Sequence, residues 1–330
     1  MFDGNRVTAH TRSRYPIFQS PMTWIARAPL VSAVSAAGGM GLLENSIRDL
    51  SVTQREFLAI RAATNQPFGV NLPVRYLQMD PKEESAIIDW LLGQGIHFVT
   101  TSAGDPTRYT KMLKDAGVTV YHATATLRGA IKAVDAGVDG LIVEGAESAG
   151  LRNPEEVHTF ALLQAVREKV DVPIVAAGGI VDGRGMAAAF ALGAEGVTMG
   201  TRFVASFESP VHQNYPVHQN YKQAIVAAPI TGTALTDNPP RARSRSLRTP
   251  YATEVAEGKR ERLPRNATLD MLYVNGDVDN TSGAAGESAG LIHELKSVRQ
   301  IIDDTIESFW REIDRLARLR PRTADLQVRS

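Results

Sequence analysis

The feature that most constrains this chain is an alternation. Between residue 16 and about residue 205, short apolar runs recur as "PIFQSPM", "MGLLEN", "FGVNL", "FVTTS", "TVYHAT", "GLIVEG", "PIVAAGG" and "GVTMGT". Longer segments with apolar residues at helical spacing separate them, and segments such as "DPTRYTKMLKDAG" and "TLRGAIKAVDAG" stop at a glycine, as helix ends do. Parallel strands joined by helical crossovers account for this pattern. Two architectures write it, a doubly wound sheet and a closed (β/α)8 TIM barrel, and eight units favour the barrel. Barrels place their chemistry at the C-terminal ends of their strands. Unusual residues gather at those ends here: Gln19, Met22, Asn71, Thr101, Ser102, His122, Glu144, Gly178, Gly179, Gly200 and Thr201.

A chain of 330 residues has room for a barrel with an appendage. Its 36 basic and 36 acidic residues leave no net charge, so nothing points to nucleic acid or an anionic membrane as a partner. The absence of cysteine excludes disulfides, thiolate metal sites and a cysteine nucleophile. The N-terminal stretch "MFDGNRVTAHTRSRYP" lacks a continuous apolar core, and no later run approaches the roughly 18 apolar residues of a membrane span. The expectation is a soluble cytoplasmic protein with no metal centre, acting on a small molecule; a homo-oligomer is left open.

After residue 206 the alternation breaks, giving three expected regions: a barrel over 1–206, a small, mainly helical, substrate-side insertion over 207–285, and a C-terminal helical region over 286–330. The insertion contains "PVHQNY" twice in succession, at 210–215 and 216–221. So short a duplication reads as a lengthened connection before a helix. His212 and His218, six residues apart, share no helix face and predict no metal site. Arg241, Arg243, Arg245 and Arg248 admit two readings, a solvated excursion or a clamp on an anionic group. From Ala289 to Leu319, Leu291, Leu295, Val298, Ile302, Ile306, Phe309, Ile313 and Leu316 form an apolar helical stripe expected to pack on the barrel.

The most informative stretch is "VPIVAAGGIVDGRGMAAAFALGAEGVTMGTRF". One strand ends in Gly178 and Gly179, and the next in Gly200 and Thr201. Glycines let a ligand approach the backbone, and amides at such turns donate to phosphate. Two such loops after the seventh and eighth strands make the phosphate site of many barrels. Other residues keep two readings each. Asn71 either caps its loop or meets a ligand. His122 is either a satisfied core histidine or a group near a cofactor. Glu144 and Glu147 form either an acid–base carboxylate pair or acceptors for backbone amides.

The same residues carry a resemblance. "YPIFQSPMTWIARAPLVSAVSAAGGMGLL", "QPFGVNLPV", "EGAESAG", "AAGGIVDGRG", "MGTRF" and "AAGESAGLI" occur in the order seen in the nitronate monooxygenase, or 2-nitropropane dioxygenase-like, flavoproteins. The likeness covers residues 14 to about 208 and resumes near 284. It implies an FMN-binding barrel, with Met22 and Asn71 against the isoalloxazine ring and Gly178, Gly179, Gly200 and Thr201 on the phosphate. Gly286, Glu287 and Ser288 match a further flavin-side motif, and the loop of Glu144, Ser148 and Gly150 becomes a flavin-facing lid. The family pattern places a histidine after this loop. Here Leu151 stands in its place, so the position is catalytic by resemblance and altered in chemistry. The resemblance therefore implies an FMN-dependent oxidoreductase. Two alternatives stand beside it: an NAD(P)H-dependent reductase of quinones or enoyl thioesters with an apolar substrate, and a flavin-binding protein impaired in catalysis.

Overall fold

The computed structural model describes residues 2–319 except Pro154, Gln213, Asn214, Val217, Pro239 and Pro240. Eight strands follow the expected order: β1 (Ile17–Gln19), β2 (Gly41–Glu44), β3 (Phe68–Pro73), β4 (Phe98–Ser102), β5 (Thr119–Thr124), β6 (Gly140–Glu144), β7 (Ile174–Ala177) and β8 (Gly196–Met199). From β2 to β8 each runs parallel to its sequence neighbours, and β1 pairs with β8, Ile17 opposite Val197. Phe18 bridges Met40 just ahead of β2 and closes the ring. The architecture is a TIM barrel rather than an open sheet.

The strand sequences are apolar on both faces because both are covered, outside by helices and inside by neighbouring strands. Phe18, Met40, Leu42, Phe98, Tyr121, Ile142 and Val175 fill the interior, and Val7 of the first helix, Arg6–Thr11, joins them. That helix sits at the N-terminal end: Asn5 Nδ2 donates to Glu195 O at 2.8 Å, and His97 Nε2 meets Thr11 O at 3.1 Å. Gly140 has a steric reason, since a Cβ there would lie 2.3 Å from Cζ of Tyr121. The opposite, C-terminal end carries the loops.

The terminal helix corrects the sequence reading. It runs over Val298–Ala317 and does not start at Ala289. Ser297 and Gln300 form a reciprocal capping box that fixes its first turn, while Glu287–Leu291 makes a 3-10 turn and Leu291 is exposed. The buried stripe is therefore Val298, Ile301, Ile302, Ile306 and Phe309. It crosses the helix Gly183–Ala191 closely, and a Cβ on Gly183 would fall 2.0 Å from the Phe309 nitrogen.

Between barrel and terminal helix lie the helices Gln219–Val226 and Pro250–Ala256 and a hairpin of β9 (Thr233–Asn238) and β10 (Arg241–Leu247). The hairpin was not expected from the sequence. Parts of the duplicated "PVHQNY" fall outside the described residues. Its second copy leads into a helix: His218 Nδ1 accepts from Asn220 N, and fully buried Tyr221 donates to Ala284 O at 2.6 Å. Deleting residues 216–221 leaves the sequence of the first copy at the same junction, so Tyr215 inherits the buried place. Such a deletion is expected to cost at most about 1 kcal/mol, because loop entropy varies slowly with length. Tyr221→Ala, which empties the site, is expected to cost about 3–5 kcal/mol. Thermal melts of both variants check the contrast; equal losses contradict it.

Candidate active site

The loop after β1 is built around a buried carboxylate. Glu44, at the end of β2 and 1% exposed, accepts from Trp24 N at 3.1 Å, Arg27 at 2.5 Å, and Ser46 N and Oγ at 2.7 and 2.5 Å. Trp24 adopts a left-handed φ of 65°, strain that such a carboxylate anchor can hold in place. This knot fixes half-buried Met22 at the barrel mouth. Neither Arg27 nor Glu44 was legible as a site residue, because their partnership spans two βα units.

Asn71, buried on β3, accepts the Thr100 hydroxyl at 2.9 Å with Oδ1, and its carbonyl accepts Asn45 Nδ2 at 3.2 Å. These contacts tie Asn71 to the neighbouring strand β4 and to the loop after β2, at the C-terminal end of the barrel.

His122 sits buried on β5 with Nδ1 2.8 Å from Thr101 Oγ1, a satisfied arrangement. Burial lowers its pKa from 6.5 to about 4, opposed by Asp105 and assisted by Lys132. The ring is neutral at neutral pH. Between pH 6.5 and 4 the unfolded chain binds the proton that the folded one refuses, so His122 makes stability fall as pH falls through that window. The loss reaches about 3 kcal/mol at the lower end. Denaturation midpoints at pH 7 and pH 4 should show a larger acid loss in the wild type than in His122→Gln; equal losses overturn this reading.

At the ends of β7 and β8 the two glycine loops come side by side, since these strands pair directly. Gly178 and Gly179 have φ of 103° and 74°, the left-handed region in which side chains are strained. Two different pressures explain them. A Cβ on Gly178 would press on Thr159 Oγ1 at 2.7 Å, a packing reason, whereas one on Gly179 would meet only Glu147 at 3.8 Å. Gly200 is equally open, its nearest neighbours being Met22 Sδ and Ser20 at 3.6 Å. Neither the Gly179 nor the Gly200 amide finds an acceptor among the described residues. Open space over two unpartnered donors is what a phosphate-bearing ligand requires. Thr201 Oγ1 accepts from Gly286 N at 3.0 Å, which leaves its own hydrogen to donate, and Ser288 is buried in the turn that follows. The residues present therefore fit the phosphate end of an FMN.

Thr159, which the sequence did not single out, organises the loop after β6. Its amide and hydroxyl donate to Glu147, the hydroxyl at 2.7 Å, so Glu147 serves as a backbone acceptor at a helix start. Gly145 permits this docking, since a Cβ there would lie 2.0 Å from Thr159 Oγ1. Glu147 O in turn accepts Glu287 N at 2.9 Å and ties the loop to the Gly286 segment.

Glu144 and Glu147 thus part ways. The Glu144 carboxylate meets Arg152 at 3.4 Å, and desolvation pushes its pKa above the usual carboxylate range, against Arg152 and Ser148, which pull it down. Gly150 and Leu151 form a two-residue strand against β10, Leu151 opposite Ser244, and the Leu151 side chain is 52% exposed. The hairpin is thereby stitched to the loop that carries Leu151. Three of the four arginines have partners within the protein: Arg243 reaches Glu156 at 2.9 Å, Arg245 reaches Glu287 at 3.0 Å and Ala146 O at 3.2 Å, and Arg248 donates to Thr231 O. These three clamp the chain itself.

Residues 5–308 match the family profile described as nitronate monooxygenase. The (3aS,4S,5R,7aS)-5-hydroxy-7a-methyl-1-oxo-octahydro-1H-indene-4-carboxyl-CoA dehydrogenase of Mycobacterium tuberculosis is 33% identical over 75% of this chain and 67% of its own. The dehydrogenase of the same name from Rhodococcus jostii is 36% identical over 60% of this chain, a match that spans 54% of its length. Among solved structures, FabK from Thermotoga maritima superposes with a TM-score of 0.85 at 38% identity, covering 95% of this chain and 98% of that one. Among the described residues no helix is long and apolar enough to cross a membrane.

Proposed function

The chain belongs to the nitronate monooxygenase family, and from that premise we propose that it is an FMN-dependent oxidoreductase whose substrate is larger and more apolar than a simple nitronate. The observation that carries the cofactor is the pair of amides at Gly179 and Gly200, which find no acceptor among the described residues, under open space at the ends of β7 and β8. FMN supplies the two-electron chemistry when bound. Gly178, Gly179, Gly200 and Thr201 would hold its phosphate, Met22 and Asn71 its ring system, and Gly286 and Ser288 the flank between them. His122 stays neutral and anchored to Thr101, placed to orient a ligand rather than to shuttle protons at neutral pH.

Leu151 supports the substrate reading. Leucine neither accepts a proton nor donates a hydrogen bond, so the position contributes apolar surface where relatives of the resembled pattern have a histidine. Residues 207–285 form the substrate side of this reading, because the hairpin pairs with the Leu151 strand. The carboxyl-CoA dehydrogenases among the relatives favour a thioester over a quinone. The test offers the purified protein propyl nitronate with oxygen and, separately, NADH or NADPH with a quinone or an enoyl-CoA. Turnover of the enoyl-CoA with little nitronate oxidation supports the proposal. Fast oxidation of propyl nitronate alone contradicts its substrate half.

A further inference from the structure

We propose that Glu144, steadied by Arg152, is the group that exchanges a proton with substrate in this mouth, in place of the histidine that Leu151 replaces. This rests on the oxidoreductase reading above and names the acid–base residue it lacks.

The carboxylates at the strand ends and in the loops beside them differ in how fully they are occupied. Glu44 is saturated, with Arg27, the Trp24 amide and both Ser46 donors on its two oxygens. Glu147 is saturated by Thr159 and ties a helix start. Glu156 reaches Arg243 with one oxygen, while its other is buried without a partner and its φ is 35°. Among the described residues of the barrel mouth, Glu144 combines a strand-end position with spare capacity. Its contacts with Arg152 are long, both at 3.4 Å, and 35% of its side chain remains open. Ala125, Glu144, Ala146, Arg152, Asn153, Glu156 and Val157 line one narrow cleft.

Arg152 is the second observation. Its side chain is 2% exposed, yet its Nε is buried with no partner among the described residues. Its backbone amide donates to Arg243 O at 2.8 Å, so the hairpin sets its position. A buried guanidinium this close stabilises the carboxylate left after a proton departs. The charged groups facing Glu144 are then Arg152 and, across the cleft, Glu156, with Ser148 as a neutral donor. In the step itself, the Oε–H bond of the carboxylic acid breaks and a bond from that hydrogen to the substrate forms. The electron pair stays on the carboxylate beside Arg152 and water returns the proton; the accompanying two electrons would be supplied by FMN held at the glycine loops, with NADPH as the reductant.

The experiment uses the flavin-loaded protein with glutamate carboxyls isotopically labelled. Infrared spectra across pH should show one carboxylic-acid band persisting above the ordinary glutamate range and vanishing in Glu144→Gln. In the same variant flavin should be retained, kcat with NADPH and an enoyl-CoA should fall about 10²–10⁴-fold, and the corresponding limb of the pH profile should disappear. Arg152→Met should move that limb to higher pH. If Glu144→Gln fails to fold because Arg152 is left unpaired, the double variant Glu144→Gln/Arg152→Met removes both charges and carries the same test. Retained flavin with an unchanged band and pH profile overturns the inference while leaving the oxidoreductase reading intact. Absence of flavin from the wild type fails that reading separately.

Discussion

Leu151→His is expected to raise oxidation of propyl nitronate by about 10²–10⁴-fold, the range that a positioned acid–base group contributes. The position lies on the two-residue strand that β10 pairs with, so its backbone is fixed, and its side chain is 52% exposed, so an imidazole fits without repacking the core. Stability should therefore change little, within the roughly 0.5 kcal/mol of an ordinary surface substitution. Turnover of an apolar thioester should fall or stay level, because the histidine makes the pocket wall more polar. Steady-state assays of both proteins with both substrates decide it. Fast nitronate oxidation by the wild type, unchanged in the histidine variant, shows that the position does not govern the chemistry.

The second large effect is expected at the phosphate loop. Gly179→Leu should abolish retention of flavin, for two additive reasons. A leucine at φ of 74° carries strain of about 1–3 kcal/mol, and its side chain projects into the open space above the Gly179 amide. No described residue crowds that Cβ closer than 3.8 Å, so the variant should still fold. Gly178→Leu should behave differently. Its Cβ would strike Thr159 Oγ1 at 2.7 Å and disturb the loop that Glu147 anchors, so it loses stability as well as flavin. Chromophore content and melting temperature of the two variants separate them. A Gly179→Leu protein that stays fully yellow removes the phosphate assignment.

The barrel was legible because its signal is local and repeated: each unit supplies its own apolar run and its own amphipathic helix. The turn at Gly178 and Gly179 was legible for the same reason, since a backbone that must turn left-handed writes glycine into the sequence. What escaped reading depends on contacts between distant segments. Arg27 with Glu44, Thr159 under Gly145 and Arg152 beside Glu144 are each ordinary residues until two loops meet. The hairpin escaped because "TALTDNPPRARSRSL" is polar and proline-broken, and its strands pair with each other and with Gly150–Leu151 rather than with a continuous apolar sheet. The helix start was misplaced because Leu291 and Leu295 extend the apolar spacing backward, while the capping pair at Ser297 and Gln300 sets the true boundary.

Every role proposed for this mouth depends on its holding FMN. The direct measurement is the absorbance spectrum of the purified protein, followed by heat release of the chromophore and its identification by mass. A yellow protein that yields about one FMN per chain is expected, because the proposed phosphate site is one pair of loops, after β7 and β8. A colourless protein that takes up no added FMN, or one that releases FAD instead, would contradict it.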